Sequence, residues 1–418
     1  MSDLREIALE NIKNILENKS DCFQAENNDD DNAFVMMLTQ TALRKMVYIK
    51  NILKTLVAKK LSKQNIVGQS ALILGATELL YMKTPDYAVI NSYVNLVKTK
   101  SDKYVAGFVN AVLRKIAKQK DIFISADKGD FFPQEFKALL KKSYSAKEIE
   151  KIEKSSQKIP LLDISCISEE SAEKLGGKKL LLGSLRLEAK GKISELPDYE
   201  KGTWWVQDFS SSLPIKMLDN IKNKKVLELC AAPGGKTAQL LTRGAKVTCL
   251  DISESRLETL RKNLERLKLS PEKIICADGI DFLDKANETF DIVVLDAPCS
   301  ATGTLRRHPE IVHLKTNKDV LAQAKLQKEF LDRIDKVLVK GGLLLYCTCS
   351  MCKEEGEWQI KEFLAKNENY KIVNLENKTP SEMGKMITKE GFIRVLPHLA
   401  DRFGGADGFF VACLKKDM

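Results

Sequence analysis

Two cysteines in the second half of the chain lie in short motifs whose residue types suit nucleophilic chemistry. Cys299 lies in DAPCS and Cys349 lies in YCTCS. Each motif follows a predicted apolar strand, FDIVVLD at 290–296 and GLLLYCT at 342–348. Because the carboxyl ends of neighbouring parallel strands meet at one edge of a sheet, we expect both thiols in one pocket.

A glycine-rich turn and three carboxylates indicate a cofactor at the same edge. The predicted strand KKVLELC runs into CAAPGGKT (230–237), where small residues let a ligand approach the backbone and the next helix offers its N-terminus. Asp251, Asp278 and Asp296 close later strands. An acidic residue about 20 positions beyond such a turn is typical of a site for the ribose of an adenosine cofactor.

Two ligands match this turn, and they predict different enzymes. GGKT resembles the last residues of the phosphate-binding loop of ATPases. However, Cys230 occupies the position at which that motif requires its first glycine. S-adenosylmethionine needs little phosphate binding and more contact with carboxylates and small residues, so it fits better than ATP or NAD. We expect Asp251 at the ribose, Asp278 as a second acidic contact, and Asp296 beside the methionine end.

A thiol beside a methyl donor solves a specific problem of organic chemistry. Carbon 5 of cytosine is not nucleophilic until a thiolate adds to carbon 6 and turns the ring into an enamine. A carboxyl group at ring nitrogen N3 would stabilise this adduct, a role that suits Asp296, and a second cysteine would assist the last step. The two cysteine motifs therefore predict methylation of cytosine carbon 5.

The remaining cysteines and the histidines do not form a recognisable metal motif. Cys349 and Cys352 have the C-x-x-C spacing, but no second pair accompanies them and the histidines at 308, 313 and 398 are scattered. We therefore expect no metal. Small buried hydrophobes are expected at Cys230, Cys249, Cys276, Cys347 and Cys413.

Composition describes an ordinary globular chain with a basic excess. The 418 residues carry 67 Lys and Arg against 57 Asp and Glu, a formal charge of +10, which favours a polyanionic partner but also arises from a lysine-rich solvated surface. No apolar run approaches the roughly 20 residues of a membrane span, and the start MSDLREIALENI is charged, unlike a signal peptide. We expect a monomeric cytoplasmic protein with reduced thiols and no membrane partner.

The spacing of apolar residues predicts three regions. The first is helical, with a solvated loop at Asn27–Asn32 and helices at 71–82, 85–97 and 104–115. The predicted regions are an all-α bundle (1–125), a small α+β connector (126–203) and an α/β domain (204–418).

Strands dominate the pattern beyond the bundle. In the connector we expect a helix from Phe136 to Ile152 and strands at 160–167 and 179–187. In the last region, short apolar strands alternate with amphipathic helices such as 253–269, which predicts a parallel, doubly wound sheet covered on both faces. The strands are expected at 224–230, 246–251, 273–278, 290–296, 342–348 and 409–415.

These motifs resemble those of a known family in content and order. CAAPGGKT, LDISESRL, ADG, DAPCSATGTLRRHPEI and YCTCSMCKEE resemble the successive motifs of the Sun/Fmu family of RNA cytosine-5 methyltransferases. ALILGATELLYM, Asn91 and GFVNAVLR resemble the NusB-like RNA-binding domain of its RsmB-like branch, which acts on 16S rRNA. The resemblance implies a Rossmann-like S-adenosylmethionine methyltransferase sheet, preceded by a NusB-like bundle and the connector.

The resemblance also implies a role for individual residues. Cys349 would be the nucleophile and Cys299 would help to release the product, and both join Asp296 as predicted catalytic residues. The implied substrate is a cytosine of 16S rRNA, of the cytosine-967 type. The implied cofactor contacts are Cys230, Ala231, Ala232, Pro233, Gly234, Gly235, Lys236, Asp251, Arg256, Asp278 and Asp296.

Three parts of the sequence depart from the family pattern. The connector strand PLLDISC lacks the arginine and asparagine of an Arg-Val-Asn-like strand, Val312 and His313 follow HPEI where a basic residue and a tryptophan are usual, and Gly356 replaces a common asparagine. Several basic residues are candidates either for RNA phosphate contacts or for an ordinary protein surface. These are Arg44, Lys45, Arg114, Lys115, Arg306 and Arg307.

Two other functions remain open. The chain would be an RNA-binding assembly or transcription factor if its methyltransferase fold were not catalytic. Alternatively, it would methylate another RNA, such as tRNA.

Overall fold

The structure, a computed structural model, describes residues 2–19, 30–57, 65–188 and 191–417. Contacts between residues divide the chain into two compact units. The helical unit contains the residues up to Leu139 together with His308–Leu314, and the sheet unit contains Leu140–Arg307 and the residues from Lys315 on. Within the described ranges, no helix is both long enough and apolar enough to cross a membrane.

Helices fill the first third of the chain, and strands alternate with helices in the rest. The α-helices of the described residues are α1 (Ser2–Leu16), α2 (Asp30–Leu56), α3 (Ile66–Tyr81), α4 (Asp86–Lys100), α5 (Lys103–Lys118), α6 (Lys120–Ala126), α7 (Gln134–Leu140), α8 (Ala146–Ser156), α9 (Glu169–Leu175), α10 (Phe209–Lys216), α11 (Gly235–Thr242), α12 (Glu254–Arg266), α13 (Gly279–Lys285), α14 (Ile311–Leu314), α15 (Asn317–Ile334) and α16 (Glu357–Lys366). The strands are β1 (Leu162–Cys166), β2 (Lys178–Lys179), β3 (Leu185–Leu187), β4 (Trp204–Val206), β5 (Lys225–Leu229), β6 (Lys246–Asp251), β7 (Lys273–Cys276), β8 (Phe290–Asp296), β9 (Leu338–Thr348), β10 (Tyr370–Ile372), β11 (Ile393–Val395) and β12 (Phe409–Lys416).

The core of the helical unit is built around α3. Every residue from Ser70 to Leu80 is buried, because this segment is apolar on nearly all faces. The one charged residue of this buried segment is Glu78, whose carboxylate accepts hydrogen bonds from the Arg5 guanidinium (Nη2 to Oε1, 2.5 Å) and from the Tyr93 hydroxyl (3.1 Å). A buried carboxylate requires such partners because its desolvation is costly. The network therefore joins α1 and α4 to the central helix.

The predicted helices at 71–82, 85–97 and 104–115 correspond to α3, α4 and α5, whose ends differ from the predicted ones by one to five residues. The loop prediction for Asn27–Asn32 is wrong at its end, since α2 begins at Asp30. Acidic residues are favoured in the first turn of a helix because they interact with its dipole. Residues 27–29 lie outside the described residues.

Three connector strands and β4, which follows the predicted connector (126–203) directly, form a four-stranded antiparallel sheet with the order β2-β3-β1-β4. The prediction of one helix from Phe136 to Ile152 is wrong, because Ser145 interrupts it and caps α8 by accepting a backbone N–H with its hydroxyl. The strand predicted at 179–187 is also divided. Leu182 (φ 57°) and Gly183 (φ 79°) adopt left-handed conformations that separate β2 from β3.

The large sheet has the order β10-β12-β9-β8-β5-β6-β7, and β11 pairs with β12 outside this path. The strands β9, β8, β5, β6 and β7 are parallel. The predicted parallel sheet is confirmed for these five strands, whereas the strand predicted at 409–415 is β12, which is antiparallel to β9, β10 and β11. The physical reason is local, because β12 begins beside the end of β9, with Phe410 paired to Thr348.

Both faces of this sheet are buried, which accounts for the nearly continuous apolar strands. Val226, Val247 and Val294 belong to the hydrophobic core on one face. Leu227 and Leu295 belong to the core on the other face. Since successive side chains of a strand alternate between faces, helices and loops must cover each side. The strands β4, β10 and β11 are each three residues long, which is too short for a run of apolar residues in the sequence to predict them.

The short helix α14 belongs to the helical unit and contains two of the departures from the family pattern. Val312 is 3% exposed, and His313 Nε2 lies 2.9 Å from the carbonyl oxygen of Leu43. Leu314 packs against the core of the same unit. Burial lowers the pKa of His313 to about 4, and the hydrogen bond to Leu43 opposes this effect only partially. The imidazole is therefore neutral at physiological pH.

We predict that acid weakens the folded chain through His313. The unfolded imidazole takes up a proton near its ordinary pKa of 6.5, whereas the folded one does so near 4, so the stability contributed by the neutral ring is present above pH 6.5 and lost as the pH falls to 4. His313→Gln, whose amide can still donate to Leu43, should show a smaller loss in urea unfolding of the full chain over this interval. An identical pH dependence for the two proteins would contradict the prediction.

Candidate active site

Two neighbouring strands deliver both cysteine motifs to one edge of the sheet. β8 and β9 are parallel, and their register pairs Asp296, the last residue of β8, with Cys347. Cys299 follows three residues after β8, and Cys349 follows directly after β9. The parallel register therefore brings the two motifs together, as the positions of the strands in the sequence predict.

The two thiols are in contact. Sγ of Cys299 lies 3.3 Å from Sγ of Cys349. The hydrogen bond with Cys349, followed by burial, raises the pKa of Cys299 well above its ordinary value. Either sulfur can donate the S–H of this contact, so one thiol can stabilise the other as a thiolate through a hydrogen bond.

Asp296 is held at this edge by two side chains. Lys236 Nζ lies 2.7 Å from Oδ2, and Cys347 Sγ donates to Oδ1 at 3.4 Å. Burial alone would lower the pKa of Lys236, but the charge and hydrogen bond of Asp296 together with the other acidic groups nearby outweigh it and the pKa is raised, so the ammonium stays charged. Burial raises the pKa of the Cys347 thiol, which therefore remains a donor. The side chain of Asp296 is 32% exposed and so remains accessible to a ligand.

The glycine-rich turn has the backbone conformation that its small residues predict. Cys230 has a φ of 59° directly after β5, and Gly234 has a φ of 100° directly before α11. A Cβ at Gly234 would lie 3.1 Å from Leu260, so both conformation and space favour glycine. Thr237 donates to the buried carboxyl of Glu228 at 2.7 Å and fixes α11 against β5. The glycine-rich turn is therefore held in place by the strand before it and the helix after it.

Asp251 presents a buried carboxylate beside this turn. It is 1% exposed and accepts the backbone N–H groups of Ala232 and Ser253, each at 3.1 Å. Arg256 lies 3.4 Å from the same carboxylate and donates to the carbonyl of Ala232. A fixed carboxylate next to small residues and a helix N-terminus suits the ribose of an adenosine cofactor. These residues fit the nucleoside end of S-adenosylmethionine.

Asp278 differs from the other two carboxylates. It is exposed, and its Oδ1 accepts the backbone N–H groups of Ile280 and Asp281 at 2.8 and 3.1 Å. It therefore caps α13. Its contact with the cofactor stays a prediction.

Burial of the other cysteines follows their position in the sheet. Cys249, Cys347 and Cys413 are buried, as predicted, and Cys230 is half-buried at the glycine-rich turn. The prediction is wrong for Cys276, which is exposed because β7 forms the edge of the sheet. Across the described residues, no group of three or more His, Cys, Asp or Glu side chains is arranged to hold a metal ion.

The loops that carry the two cysteines are locked together. Gly303 donates its N–H to the carbonyl of Cys349 at 2.9 Å and accepts the N–H of Gly408 at 2.8 Å. A Cβ at Gly303 would clash with the backbone of both partners. The Thr302 hydroxyl accepts the N–H of Met351 at 3.0 Å. The loop after Cys299 thus packs directly on the loop after Cys349.

The two arginines of LRRHP bind protein groups. Arg307 pairs with Asp208 at 2.9 Å and with Asp407 at 3.1 Å, and Arg306, which is 1% exposed, donates to the carbonyl of Gly404 at 3.0 Å. Of the two interpretations left open by the sequence, the structure therefore favours the structural one over a contact with RNA.

Arginines also account for two departures from the family pattern. PLLDISC lacks an arginine, but Arg186 on the paired strand β3 forms a buried ion pair with Asp163 of that segment at 2.5 Å. Gly356 leaves room for Arg394, because a Cβ there would clash with the guanidinium. Arg394 in turn pairs with Glu357 at 2.5 Å.

Comparison with known proteins identifies the family. The NusB family model matches residues 2–118, and the model described as 16S rRNA methyltransferase RsmB/F matches residues 215–415. The chain is 30% identical to the ribosomal RNA small subunit methyltransferase B of Yersinia enterocolitica, and the match covers 99% of each chain. The chain belongs to the RsmB/F family of 16S rRNA methyltransferases.

Solved structures have the same fold as this methyltransferase. The crystal structure of PH0851 is 22% identical, matches over 98% of both chains and has a TM-score of 0.73. A methyltransferase homolog protein from Pyrococcus horikoshii is 25% identical, with a TM-score of 0.55 over 68% of this chain and 99% of its own. The predicted fold class, a Rossmann-like sheet preceded by a NusB-like bundle, is confirmed, and the cofactor of the family is S-adenosylmethionine.

Sequence reasoning missed two residues that hold the cysteine loops. Glu355 is buried and accepts hydrogen bonds from both loops. Arg394 donates to the carbonyl of Ser350, next to Cys349. The sequence did contain a signal for Glu355, because this residue lies in the CKEE segment, a few residues after the YCTCS motif of Cys349. None existed for Arg394, which comes from β11, far along the chain.

We predict that Asp251→Asn weakens binding of S-adenosylmethionine. An amide cannot accept hydrogen bonds at both ends as the carboxylate does, and a hydrogen bond to a charged group contributes about 1.5–3 kcal/mol, or roughly 10- to 100-fold in Kd. Titration calorimetry measures the change. Asp281→Asn, at a carboxylate whose side chain is 70% exposed, is the matched control. Unchanged affinity in Asp251→Asn would refute the assignment of this residue to the cofactor.

Proposed function

We propose that this chain methylates carbon 5 of one cytosine in 16S rRNA, of the cytosine-967 type, through a covalent bond between Cys349 and carbon 6. The 3.3 Å contact between Cys349 and Cys299, on the edge of the sheet that also holds Asp296, carries the proposal. The family model and the curated relative, described as 16S and small-subunit rRNA methyltransferases, support rRNA as the substrate.

Cys349 and Asp296 serve the first half of the reaction. The Cys349 thiolate adds to carbon 6, which forms a C–S bond and moves the ring electrons towards N3. N3 takes up the proton that the Cys349 thiol has released, and the Asp296 carboxylate accepts a hydrogen bond from this N3–H and so holds the base. Carbon 5 thereby becomes nucleophilic. S-adenosylmethionine, when bound, supplies an electrophilic methyl group. Lys236 keeps Asp296 in place through its ion pair of 2.7 Å.

Cys299 serves the second half. Once carbon 5 carries the methyl group, a base removes the proton on carbon 5, the electrons of that C–H bond re-form the C5–C6 double bond, and the C–S bond breaks as the Cys349 thiolate leaves. The S–H of Cys299, 3.3 Å from that sulfur, stabilises the departing thiolate by donating a hydrogen bond. Without this donor, the covalent adduct would persist.

The alternatives have less support. Against an ATPase, the ammonium of Lys236 is already paired with Asp296 rather than free for a phosphate. Against an RNA-binding factor without turnover, the paired thiols and both site carboxylates Asp251 and Asp296 are present. Methylation of tRNA remains the second candidate for the substrate.

One experiment separates these functions. The purified chain is incubated with S-adenosylmethionine and either unmodified 16S rRNA or tRNA, and the products are sequenced after bisulfite treatment. We expect protection of a single cytosine in 16S rRNA. Protection of a cytosine in tRNA alone would show that tRNA, and not 16S rRNA, is the substrate. Binding of 16S rRNA without any protected cytosine would favour the non-catalytic RNA-binding factor.

We predict opposite effects for the two cysteine variants. Cys349→Ala should lose methylation by several orders of magnitude, because the nucleophile is absent. Cys299→Ala should accumulate a covalent protein–RNA adduct, seen as a slowly migrating, RNA-dependent band in a denaturing gel. The Cys299→Ala, Cys349→Ala double variant is the control and should show no band. Normal methylation by Cys349→Ala would refute its role as nucleophile.

We propose that the helical unit contributes an RNA-binding groove between α4 and α5, within the predicted all-α bundle (1–125). Arg114, Lys115 and Lys118 line this groove together with Tyr87, which is 73% exposed. Basic and aromatic side chains side by side suit phosphates and unstacked bases. The match of residues 2–118 to the NusB family is consistent with a separate module here.

The other two basic candidates of this unit are engaged within the protein. Arg44 is 7% exposed, and Lys45 forms an ion pair with Asp127 at 2.5 Å. We therefore assign phosphate contacts to the α5 residues and a structural role to Arg44 and Lys45.

We predict that reversing the charge of this groove weakens binding of 16S rRNA. The variant Arg114→Glu, Lys115→Glu, Lys118→Glu should also reduce the slope of log K against log salt by about two to three, since each phosphate contact contributes roughly 0.7–0.9. Filter binding at several salt concentrations measures both quantities.

The control for this prediction changes the net charge equally on exposed lysines of the sheet unit. These are Lys262, Lys285 and Lys371, whose side chains are 73%, 79% and 73% exposed. If the control weakens binding as much as the groove variant, the effect comes from net charge and the groove is not the contact.

A further inference from the structure

Glu355 is a buried carboxylate that lies between the two cysteine loops. Its side chain is 0% exposed. Oε1 accepts the backbone N–H of Ser300 at 2.7 Å and the side-chain amide of Gln327 at 3.3 Å. Oε2 accepts the hydroxyls of Ser300 and Ser350, each at 2.5 Å. One carboxylate therefore binds the residue that follows Cys299 and the residue that follows Cys349.

The groups around Glu355 donate hydrogen bonds to both of its oxygens. Burial raises its pKa, and the hydrogen bonds from Ser300, Ser350 and Gln327 offset this only in part. A backbone N–H and an amide N–H can only donate, so Oε1 must be an acceptor. Hydrogen bonds to a charged acceptor are shorter and stronger than neutral ones, which agrees with the two distances of 2.5 Å.

The same network extends to the residue before Cys299. The Gln327 amide donates to the carbonyl of Pro298 at 2.8 Å, and its oxygen accepts the Tyr346 hydroxyl at 3.0 Å. Tyr346 lies in β9, three residues before Cys349. The loop of Cys299 is therefore held on both sides of the thiol by groups that also hold the loop of Cys349.

We propose that Glu355 is a positioning residue that sets the contact between the thiols of Cys299 and Cys349. Its described hydrogen bonds include none to either sulfur, and it acts by tying together the serine after each cysteine. The significance of this contact for catalysis rests on the proposed function, whereas the positioning itself does not. Loss of Glu355 should therefore deprive Cys349 of the S–H donor that stabilises its thiolate.

The test measures the reactivity of Cys349 without RNA or cofactor. The full chain is alkylated with iodoacetamide at a series of pH values, and labelling of Cys349 is quantified on its peptide by mass spectrometry. Removal of a hydrogen bond to the thiolate should move the pH midpoint of labelling upwards by about half to one unit. We expect this shift in Glu355→Ala and in Cys299→Ala.

Two further variants make the result specific. The Cys299→Ala, Glu355→Ala double variant should shift no further than Cys299→Ala alone, because both changes remove the same donor. Glu354→Ala removes the neighbouring buried glutamate, which has no described hydrogen bond to either serine, and should keep the wild-type midpoint. A wild-type midpoint in Glu355→Ala, or fully additive shifts in the double variant, would overturn the proposal.

The design remains decisive if Glu355→Ala does not fold. Ser350→Ala removes one of the short hydrogen bonds and leaves the carboxylate in place, so it should shift the midpoint in the same direction. A wild-type midpoint for a folded Ser350→Ala would then count against positioning. Failure of the chain to methylate RNA would refute the proposed function but would not change the alkylation result.

A turnover measurement shows the catalytic consequence. Misplacement of a reacting group by about 1 Å costs on the order of 100-fold in rate. Glu355→Ala should therefore lower kcat by about this factor while the KM for RNA and the Kd for S-adenosylmethionine change little. A parallel rise in KM and Kd with normal kcat would indicate a general structural role and overturn positioning.

Discussion

The parallel pairing of β8 with β9 is the constraint on which the site depends. Its register places Asp296 opposite Cys347. The segments that follow the two strands therefore leave the sheet side by side and bring Cys299 and Cys349 into contact. A shift of one residue would turn every side chain of β8 to the other face, with Asp296 among them. The buried apolar residues on both faces of the sheet prevent such a shift, because it would exchange the contents of the two cores.

Charges within the site are paired in a way that leaves specific groups for chemistry. Asp296 is partly neutralised by Lys236, and Asp251 by Arg256, so neither carboxylate stands alone in a poorly solvated environment. The carboxylate of Glu355 has hydroxyl and N–H partners instead of a cation. It therefore organises the loops without placing a positive charge beside the thiols.

Sequence reasoning succeeded where the site is local in the chain. The strand ends, the glycine-rich turn and the two cysteine motifs are each continuous segments, and the order of strands predicts that they meet at one edge. The direction of β12 could not be predicted, because it depends on where the preceding loop returns to the sheet. The exposure of Cys276 likewise follows from the edge position of β7, which is a property of the whole sheet.

Contacts between residues that are far apart in the sequence were the least predictable. Arg394 and Gly356 are complementary only because β11 brings the guanidinium to the place where a side chain of residue 356 would stand.

Rigid loops around the thiols determine what the RNA must do. The loop of Cys299 is bound through Ser300 and Pro298, and that of Cys349 is bound through Ser350 and its own carbonyl group. The two sulfurs are therefore held in place and cannot move to reach a base that is stacked within a duplex. In the proposed reaction, addition to carbon 6 requires access to the face of the cytosine ring. The cytosine would then have to leave its stack and enter the site, which would place the cost of rearrangement on the RNA and favour a target that is unpaired before the protein binds.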